Sequence, residues 1–202
     1  MAAASQIAAG LALQKYWHSS LYGQAARAIA VFSQRLSKPV AEWSAQDANH
    51  ANLFQQASHA LSKKDGVSEK YSTVPTTSIP VAIPPIRAPK PDDAESTAID
   101  ILDAVAASEH HNATIFAETA QNPISTPIFQ VLDLGALSQV SAARVQEALE
   151  MTAMIKEGRL WESPIPAKWR CLQCGARYHA KKAFESCTCC KAGRAFATCV
   201  AI

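Results

Sequence analysis

Apolar residues recur at helical spacing along most of the chain. Between residues 5 and 36 they fall three or four positions apart, and the pattern resumes from about Val40 to Leu61. The first run predicts a helix that Pro39 interrupts, and the second predicts a helix that ends near Gly66, after two lysines. Two long helices are therefore expected before residue 67.

The next stretch changes character, because six of the eleven prolines lie within residues 67–97. Prolines at this density exclude a helix interior and predict an extended crossover. A third helix is predicted from about Ala94 to Ala120, and a fourth from about Ile128 to Glu157, capped by Gly158. The predicted fold class is mainly α, with a ferritin-like four-helix bundle over residues 1–160, because four helices with one long connection are typical of that fold.

The last 35 residues contain two Cys-x-x-Cys pairs separated by twelve residues. The first pair is Cys171 and Cys174, and the second is Cys187 and Cys190. Two tight turns of this kind, facing each other, bring four thiolates around one ion, which favours zinc or a single iron. We therefore predict a small metal-binding domain of strands and loops over residues 166–202.

All six cysteines lie in this C-terminal part of the chain, a clustering that indicates metal binding in a reducing compartment rather than a disulfide framework. Cys189 and Cys199 are left over and are expected to be buried or idle thiols. A shifted pairing that places Cys189 in the site is an alternative, but the spacing favours Cys187 with Cys190.

Charge is unevenly distributed along the chain. The formal net charge is only +2, yet residues 168–202 contain seven Lys or Arg and one acid. We favour a solvated surface around a negatively charged thiolate site; a surface for nucleic acid or an acidic partner is the alternative. Nucleic-acid binding is not expected from the charge of the chain as a whole.

Residues 1–41 contain no Asp or Glu, which is the composition of an organelle transit peptide. The competing interpretation is the first helix of the fold, which we favour because the helical spacing is continuous. No apolar run approaches the ~20 residues needed to cross a bilayer, so no membrane partner is expected. The predicted location is the cytoplasm, with organelle import as the alternative.

Several stretches, and the order of the parts, resemble rubrerythrin. They are Asp47-Ala-Asn-His50, Ala107-Ser-Glu109-His-His, Ile155-Lys-Glu-Gly158-Arg159 and Lys168-Trp-Arg-Cys171-x-x-Cys174-Gly175. The resemblance spans nearly the whole chain and is strongest in its C-terminal third. It implies a ferritin-like bundle that reduces peroxide at two irons, followed by a rubredoxin-like domain whose single iron passes electrons. A homodimer and a redox partner protein are also expected.

The resemblance implies bundle ligands of the Glu and Glu-x-x-His type, but this sequence departs from them at most positions. The matching positions hold Gln14, Asp47, His50, Glu109, Asn112, Ser141 and Arg144. Gln, Asn and Ser are weak neutral ligands, and an arginine repels a metal cation. Asp47, His50 and Glu109 remain as candidate metal ligands, and two carboxylates are too few to neutralise a pair of ferrous ions.

Three interpretations of the bundle interior follow. We favour a buried ion pair of Arg144 with Glu109 or Asp47, which makes His50 a hydrogen-bonded core histidine. A mononuclear site at Asp47, His50 and Glu109 comes next, and a surviving di-iron site last. His110 and His111 are expected on the surface, and His18 is a remote further ligand candidate.

The predicted function is that of a rubrerythrin-like iron-binding redox protein. It transfers single electrons at one iron held by Cys171, Cys174, Cys187 and Cys190, and peroxide reduction in the bundle is expected to be lost. Iron follows from the resemblance, whereas the basic surface favours zinc. The alternatives are a non-catalytic zinc-ribbon scaffold and an active peroxide reductase, so the sequence leaves open whether the protein is an enzyme.

Overall fold

The computed structural model describes residues 4–65, 94–129 and 132–200, and these are mainly helical with a small C-terminal sheet. The helices are α1 (Ala4–Phe32), α2 (Gln34–Asp65), α3 (Ala94–Gln121), α4 (Thr126–Phe129) and α5 (Leu134–Lys156). The strands are β1 (Glu162–Cys171), β2 (Arg177–Lys182) and β3 (Ala197–Val200). None of the described helices combines the length and the apolarity needed to cross a bilayer.

The predicted crossover over residues 67–97 lies outside the described residues, except for its last four positions. Those positions, Ala94 to Thr97, are wrongly predicted, because they already form the first turn of α3. The start that was predicted for the third helix, at about Ala94, is confirmed.

The chain reverses between α1 and α2 at Ser33, and the predicted break at Pro39 is wrong. Ser33 is buried, and its hydroxyl accepts a hydrogen bond from the Leu36 N–H at 3.4 Å. Pro39 lies in the second turn of α2, where its missing N–H removes only the bond to the Arg35 carbonyl. The helix tolerates that single loss because packing on α1 holds its flanks.

α1 and α2 form an antiparallel hairpin. Two serines of α2 hydrogen-bond across it: the Ser44 hydroxyl donates to the Ser19 carbonyl at 2.7 Å, and Ser58 donates to Ser5 at 2.8 Å. α3 packs against α5, and α1 packs against α3, so the two pairs of helices are in contact.

The predicted fourth helix is divided in two. A short α4 precedes α5, whose first turn is capped by Asp133: its carboxylate accepts a hydrogen bond from the Ala136 N–H at 3.0 Å. The single helix predicted from Ile128 is therefore wrong at its start, because Asp133 begins a new helix there. The predicted stop is confirmed, since Gly158 adopts a left-handed backbone with φ of +69°.

The four long helices, α1, α2, α3 and α5, share two apolar clusters that lie at different heights along the helices. The proximal cluster, next to the sheet, contains Tyr22, Trp43, Leu102 and Ala148 among others. The distal cluster contains Leu11, Phe54, Phe116 and Leu137 among others. Each of the four helices contributes to both clusters, and along each helix a polar stretch lies between them.

The sheet is antiparallel with strand order β2-β1-β3. Trp169 of β1 is buried on its inner face, and the indole N–H donates to the Ala180 carbonyl at 3.0 Å. The proximal cluster extends through Ala167 and Trp169 to Ala197 of β3. The sheet thus shares its core with the helices, and β1 begins at Glu162, four residues before the predicted domain boundary.

Candidate metal centre

The first Cys-x-x-Cys pair forms a tight turn at the end of β1. We call residues 171–176 the first knuckle. The Gly175 N–H donates to the Cys171 carbonyl at 2.8 Å, and the Cys171 N–H donates to the Ala176 carbonyl at 2.8 Å. These two bonds close the loop, so that Cys171 and Cys174 point to the same side.

The second pair repeats this geometry, and residues 187–192 are the second knuckle. Lys191 N–H donates to the Cys187 carbonyl at 2.8 Å, and Cys187 N–H donates to Ala192 at 2.8 Å. The turn needs a left-handed residue after its second cysteine. Gly175 supplies it in the first knuckle with φ of +77°, and Lys191 supplies it in the second with φ of +62°.

The two knuckles face each other and bring four sulfurs together. Sγ of Cys171 lies 3.7 Å from that of Cys190, Sγ of Cys174 lies 3.6 Å from that of Cys187, and all four sulfurs lie within 4.8 Å of one another. A metal with tetrahedral bonds of about 2.3 Å to sulfur places its ligands about 3.8 Å apart. The four thiols are therefore arranged to bind one metal ion.

No second group of ligating side chains of this kind occurs within residues 4–65, 94–129 and 132–200. Cys189 and Cys199 stand outside the group, and both are exposed rather than buried. The pairing of Cys187 with Cys190 that the spacing predicted is thus the one that the structure adopts.

Hydrogen-bond donors converge on the sulfurs. The Tyr178 hydroxyl lies 2.9 Å from Cys187 Sγ and, with backbone N–H groups of the second knuckle, lowers the pKa of the Cys187 thiol to about 6. The Ala176 N–H lowers the pKa of Cys174, but desolvation and the three neighbouring cysteines outweigh it and raise that pKa to about 12. The Cys187 thiol therefore ionises readily, whereas Cys174 needs a cation to displace its proton.

The surroundings of the sulfurs are asymmetric. Cys171 and Cys187 are buried, whereas Cys174 is exposed and Cys190 is half-buried. The rings of Tyr178 and Phe184 pack beside the buried pair, 4.9 Å apart. Phe196, a further aromatic residue of the same domain, is 39% exposed and lies outside this cluster. One edge of the centre faces solvent.

A second group of polar side chains lies between the two apolar clusters of the helices, and we call it the charged layer. Arg144 Nη1 lies 2.9 Å from Asp47 Oδ1 and 2.7 Å from Glu109 Oε1, and Lys15 Nζ lies 3.0 Å from Asp47 Oδ1. All four side chains are at most 4% exposed. The predicted pairing of Arg144 is confirmed, and it involves both carboxylates rather than one.

These contacts hold the charged forms in place. Burial by itself raises the pKa of Asp47, but His50, Lys15 and Arg144 outweigh it and hold that pKa well below its usual range. Burial also lowers the pKa of Arg144, but the two carboxylates outweigh it and raise the pKa above its usual value. Two cations thus face two anions, and the formal charge of the layer is zero.

Neutral polar side chains complete the charged layer. Gln14 Nε2 donates to Asn112 Oδ1 at 2.7 Å, and Asn112 Nδ2 donates to Glu109 Oε2 at 3.3 Å. Ser141 and His18 are fully buried at the same level, and burial lowers the pKa of His18 to about 4. Gln14, Asn112 and Ser141, which stand where the resemblance implies metal ligands, therefore lie in one layer with the ion pairs.

The histidines are distributed differently from the prediction. His50 is 23% exposed and its Nδ1 lies 3.8 Å from Asp47 Oδ1, beyond hydrogen-bond distance, so the predicted hydrogen-bonded core histidine is wrong. His110 and His111 are exposed, as predicted. The metal site at Asp47, His50 and Glu109 stays a prediction. In the structure, Arg144 joins the two carboxylates of that set.

Lys15 is the member of the charged layer that the sequence analysis missed as a site residue. Its spacing carries a signal, however: Leu11, Lys15, His18 and Tyr22 follow one another at four, three and four residues, which places all of them on the buried face of α1. A lysine on such a face indicates a buried carboxylate partner.

Comparison of the chain with protein-family models and with curated proteins found no match.

Proposed function

We propose that this protein is a one-electron carrier in which Cys171, Cys174, Cys187 and Cys190 hold a single iron ion. The observation that carries the proposal is the pair of matched knuckles, with sulfurs 3.6 and 3.7 Å apart across the site. An iron ion bound by four thiolates supplies one-electron chemistry, by alternating between its ferrous and ferric states.

The chain's own groups fit that role. Backbone N–H groups and the Tyr178 hydroxyl donate hydrogen bonds to the sulfurs and so offset the negative charge that four thiolates accumulate. The exposed Cys174 provides a short route to the surface, where a redox partner protein can dock. The buried Cys171 and Cys187 anchor the site to the apolar core of the domain.

For the helices we propose a ferritin-like four-helix bundle whose metal-binding layer has become an ion-pair layer. The support is positional: the residues at the family's ligand positions lie at one level between the two apolar clusters. Lys15 and Arg144 neutralise the two carboxylates of this layer. We therefore propose that peroxide reduction in the bundle is lost. The homodimer remains an expectation.

Metal analysis combined with a visible spectrum tests the proposal. Protein produced with iron and purified anaerobically should contain about one iron per chain, be coloured when oxidised, and bleach when dithionite is added. Cys174→Ser should remove the colour, whereas Cys189→Ser, a change at an exposed cysteine of the same domain, should retain it. Protein that never takes up iron contradicts the proposal, and two further irons per chain contradict the proposed loss of peroxide chemistry.

A zinc-ribbon scaffold is the second candidate. It is favoured by the sheet next to the knuckles, whose outer face is strongly basic and offers a docking surface. This hypothesis predicts colourless protein with one zinc per chain, from source cells grown with both metals. The same metal analysis therefore separates the two candidates.

A further inference from the structure

The outer face of the sheet is a row of cations. Along β1, Ala167, Trp169 and Cys171 are buried, and the alternating positions, Lys168 and Arg170, are exposed. This alternation places both cations on the face that points away from the helices. The two basic residues of β1 therefore lie on the outer surface of the sheet.

β2 adds its own basic residues to the same surface. Arg177 is directly opposite Arg170, and His179 is directly opposite Lys168. Directly opposite residues of antiparallel strands share a face, and Lys181, two positions beyond His179, follows them. Lys168, Arg170, Arg177, His179 and Lys181 are all exposed, and we call them the basic face.

This arrangement is unfavourable for the isolated chain. Like charges directly opposite each other destabilise a sheet, and the Arg170–Arg177 pair is such a case. Among the ion pairs of the described residues, those of the domain join Lys182 to Glu162 and Arg194 to Glu185, and none involves the basic face. The cations of this face therefore repel each other without compensation from the described part of the chain.

The positive charge of this part of the chain contrasts with the charge of the residues before it. Residues 168–202 carry seven basic residues and one acid, which leaves twelve basic and sixteen acidic residues before them. Residues 168–202 therefore have a formal charge of +6 and the residues before them a formal charge of −4, which together give the net charge of +2. A polyanion within a Debye length of about 8 Å at physiological salt is attracted to this sheet more strongly than to the rest of the chain, whose net charge is negative.

The shape and composition of the face point to one class of polyanion. Cations spaced two residues apart along a strand lie about 6.6 Å from each other and form a flat ladder that suits a repeating anion. Protein interfaces have an apolar centre that is depleted of charge, whereas nucleic-acid interfaces are more polar and far more positive. On the same face β3 adds Thr198 opposite Arg170 and Val200 opposite Lys168, so one apolar side chain lies at its edge and the cations form its centre.

We propose that the basic face binds the phosphate backbone of single-stranded nucleic acid without reading its sequence. A flexible strand can lay successive phosphates along the ladder, and the two arginines can form forked bonds to phosphate oxygens. No Phe, Tyr or Trp lies among these five residues to stack the bases, so contact is made through the backbone and depends strongly on salt. The proposal is independent of which metal the knuckles hold.

Fluorescence anisotropy with two unrelated 20-nucleotide single strands tests the proposal, using the metal-loaded full chain. The four Lys and Arg of the basic face, each neutralising one phosphate, correspond to a slope of log affinity against log salt of about −2.8, or roughly 50-fold weaker binding at 200 mM than at 50 mM salt. Arg170→Gln with Arg177→Gln should reduce the slope by about 1.4. The matched control, Arg27→Gln with Arg35→Gln, removes two exposed arginines of the helices and should bind like the unaltered chain.

Equal binding by the sheet variant and the unaltered chain overturns the proposal. So does tighter binding to poly-glutamate than to either strand, which instead indicates an acidic protein partner. A preference for one strand sequence contradicts backbone contact. If the arginine variant loses its metal or its sheet structure, the variant Lys168→Gln with Lys181→Gln takes its place. This variant also removes two positive charges from the basic face, and its binding is then judged by the outcomes above.

Discussion

The charged layer of the helices and the four-cysteine centre both collect polar groups inside the molecule, yet they differ in how charge is balanced. In the charged layer, Lys15 and Arg144 neutralise Asp47 and Glu109, at distances of 2.7 to 3.0 Å. In the four-cysteine centre, four sulfurs meet within 4.8 Å, and each must lose a proton to act as a ligand.

This difference shows that charge balance decides whether a cluster of ligating residues favours metal binding. Carboxylates that side-chain cations have neutralised gain little from an added ion, which would have to displace those cations. Cys174, crowded by three other thiols, resists ionisation until a cation arrives, as its raised pKa shows. Charge balance therefore distinguishes the two sites better than the identity of single residues does.

The largest expected effect is the loss of one thiolate. Cys171→Ser should abolish metal binding and unfold the C-terminal sheet while leaving the helices intact, because structural zinc sites contribute about 10–16 kcal/mol in small peptides. Metal content and far-ultraviolet circular dichroism measure both effects. Cys189→Ser is the control, and metal retained by the Cys171 variant would contradict the assignment of the site.

In the charged layer, removing one cation should cost stability and no metal. Arg144→Met leaves two buried carboxylates facing each other without that cation, so the free energy of unfolding should fall by about 3–5 kcal/mol. Arg159→Met, which removes an exposed pair with Glu157, should cost less than about 1 kcal/mol. Urea denaturation and metal analysis measure the two quantities. A drop in metal content in the Arg144 variant would mean that the layer participates in metal binding.

The charged layer should also make stability depend on pH through His18. Its pKa is 6.5 when unfolded and about 4 when buried in the fold. The unfolded chain therefore takes up the proton first, and stability falls by about 3 kcal/mol as pH drops from about 6.5 to about 4. His18→Gln should remove this part of the slope and the exposed His110→Gln should not. If the dependence of stability on pH is unchanged in both variants, groups other than His18 cause it.

Within the metal centre, Tyr178→Phe removes the hydroxyl that holds down the pKa of Cys187. Loss of such an outer partner typically weakens metal affinity about 10–100-fold, and the deficit should shrink as pH rises and the thiol ionises without help. Competition with a coloured zinc chelator between about pH 6.5 and 8.5 measures it. Tyr16→Phe, on the exposed side of α1, is the matched control. Equal affinities would show that the hydroxyl does not act on the sulfur.

The smallest expected effect concerns the backbone of the second knuckle. Lys191 adopts φ of +62°, where glycine is preferred, so Lys191→Gly should stabilise the domain by about 0.5–1 kcal/mol. Gly175→Ala in the first knuckle should destabilise by a similar amount, because its φ is +77° while the added Cβ meets no atom within 4 Å. Thermal unfolding of the metal-loaded domain compares both changes. A destabilising Lys191→Gly would mean that the lysine side chain makes a stabilising contact.

The sequence by itself determined the features that depend on local spacing. Helical periodicity placed the long helices, and Cys-x-x-Cys spacing selected the four sulfurs, because two thiols three residues apart meet in any such turn. Proline and capping signals were less reliable. Pro39 was mistaken for a break, and the cap at Asp133 was overlooked, because packing between the helices decides which local signal prevails.

Only the tertiary structure decided which distant charges meet. Arg144 was expected to pair with one carboxylate, and it contacts two. Lys15 of α1 contacts one of them as well, although the sequence of that helix drew attention only because it contains no Asp or Glu. The basic residues near the C-terminus looked like a solvated segment until strand register placed four of the seven, together with His179, on one face. Charge acts through space, and neither helix packing nor strand register can be read from the spacing of residues along the chain.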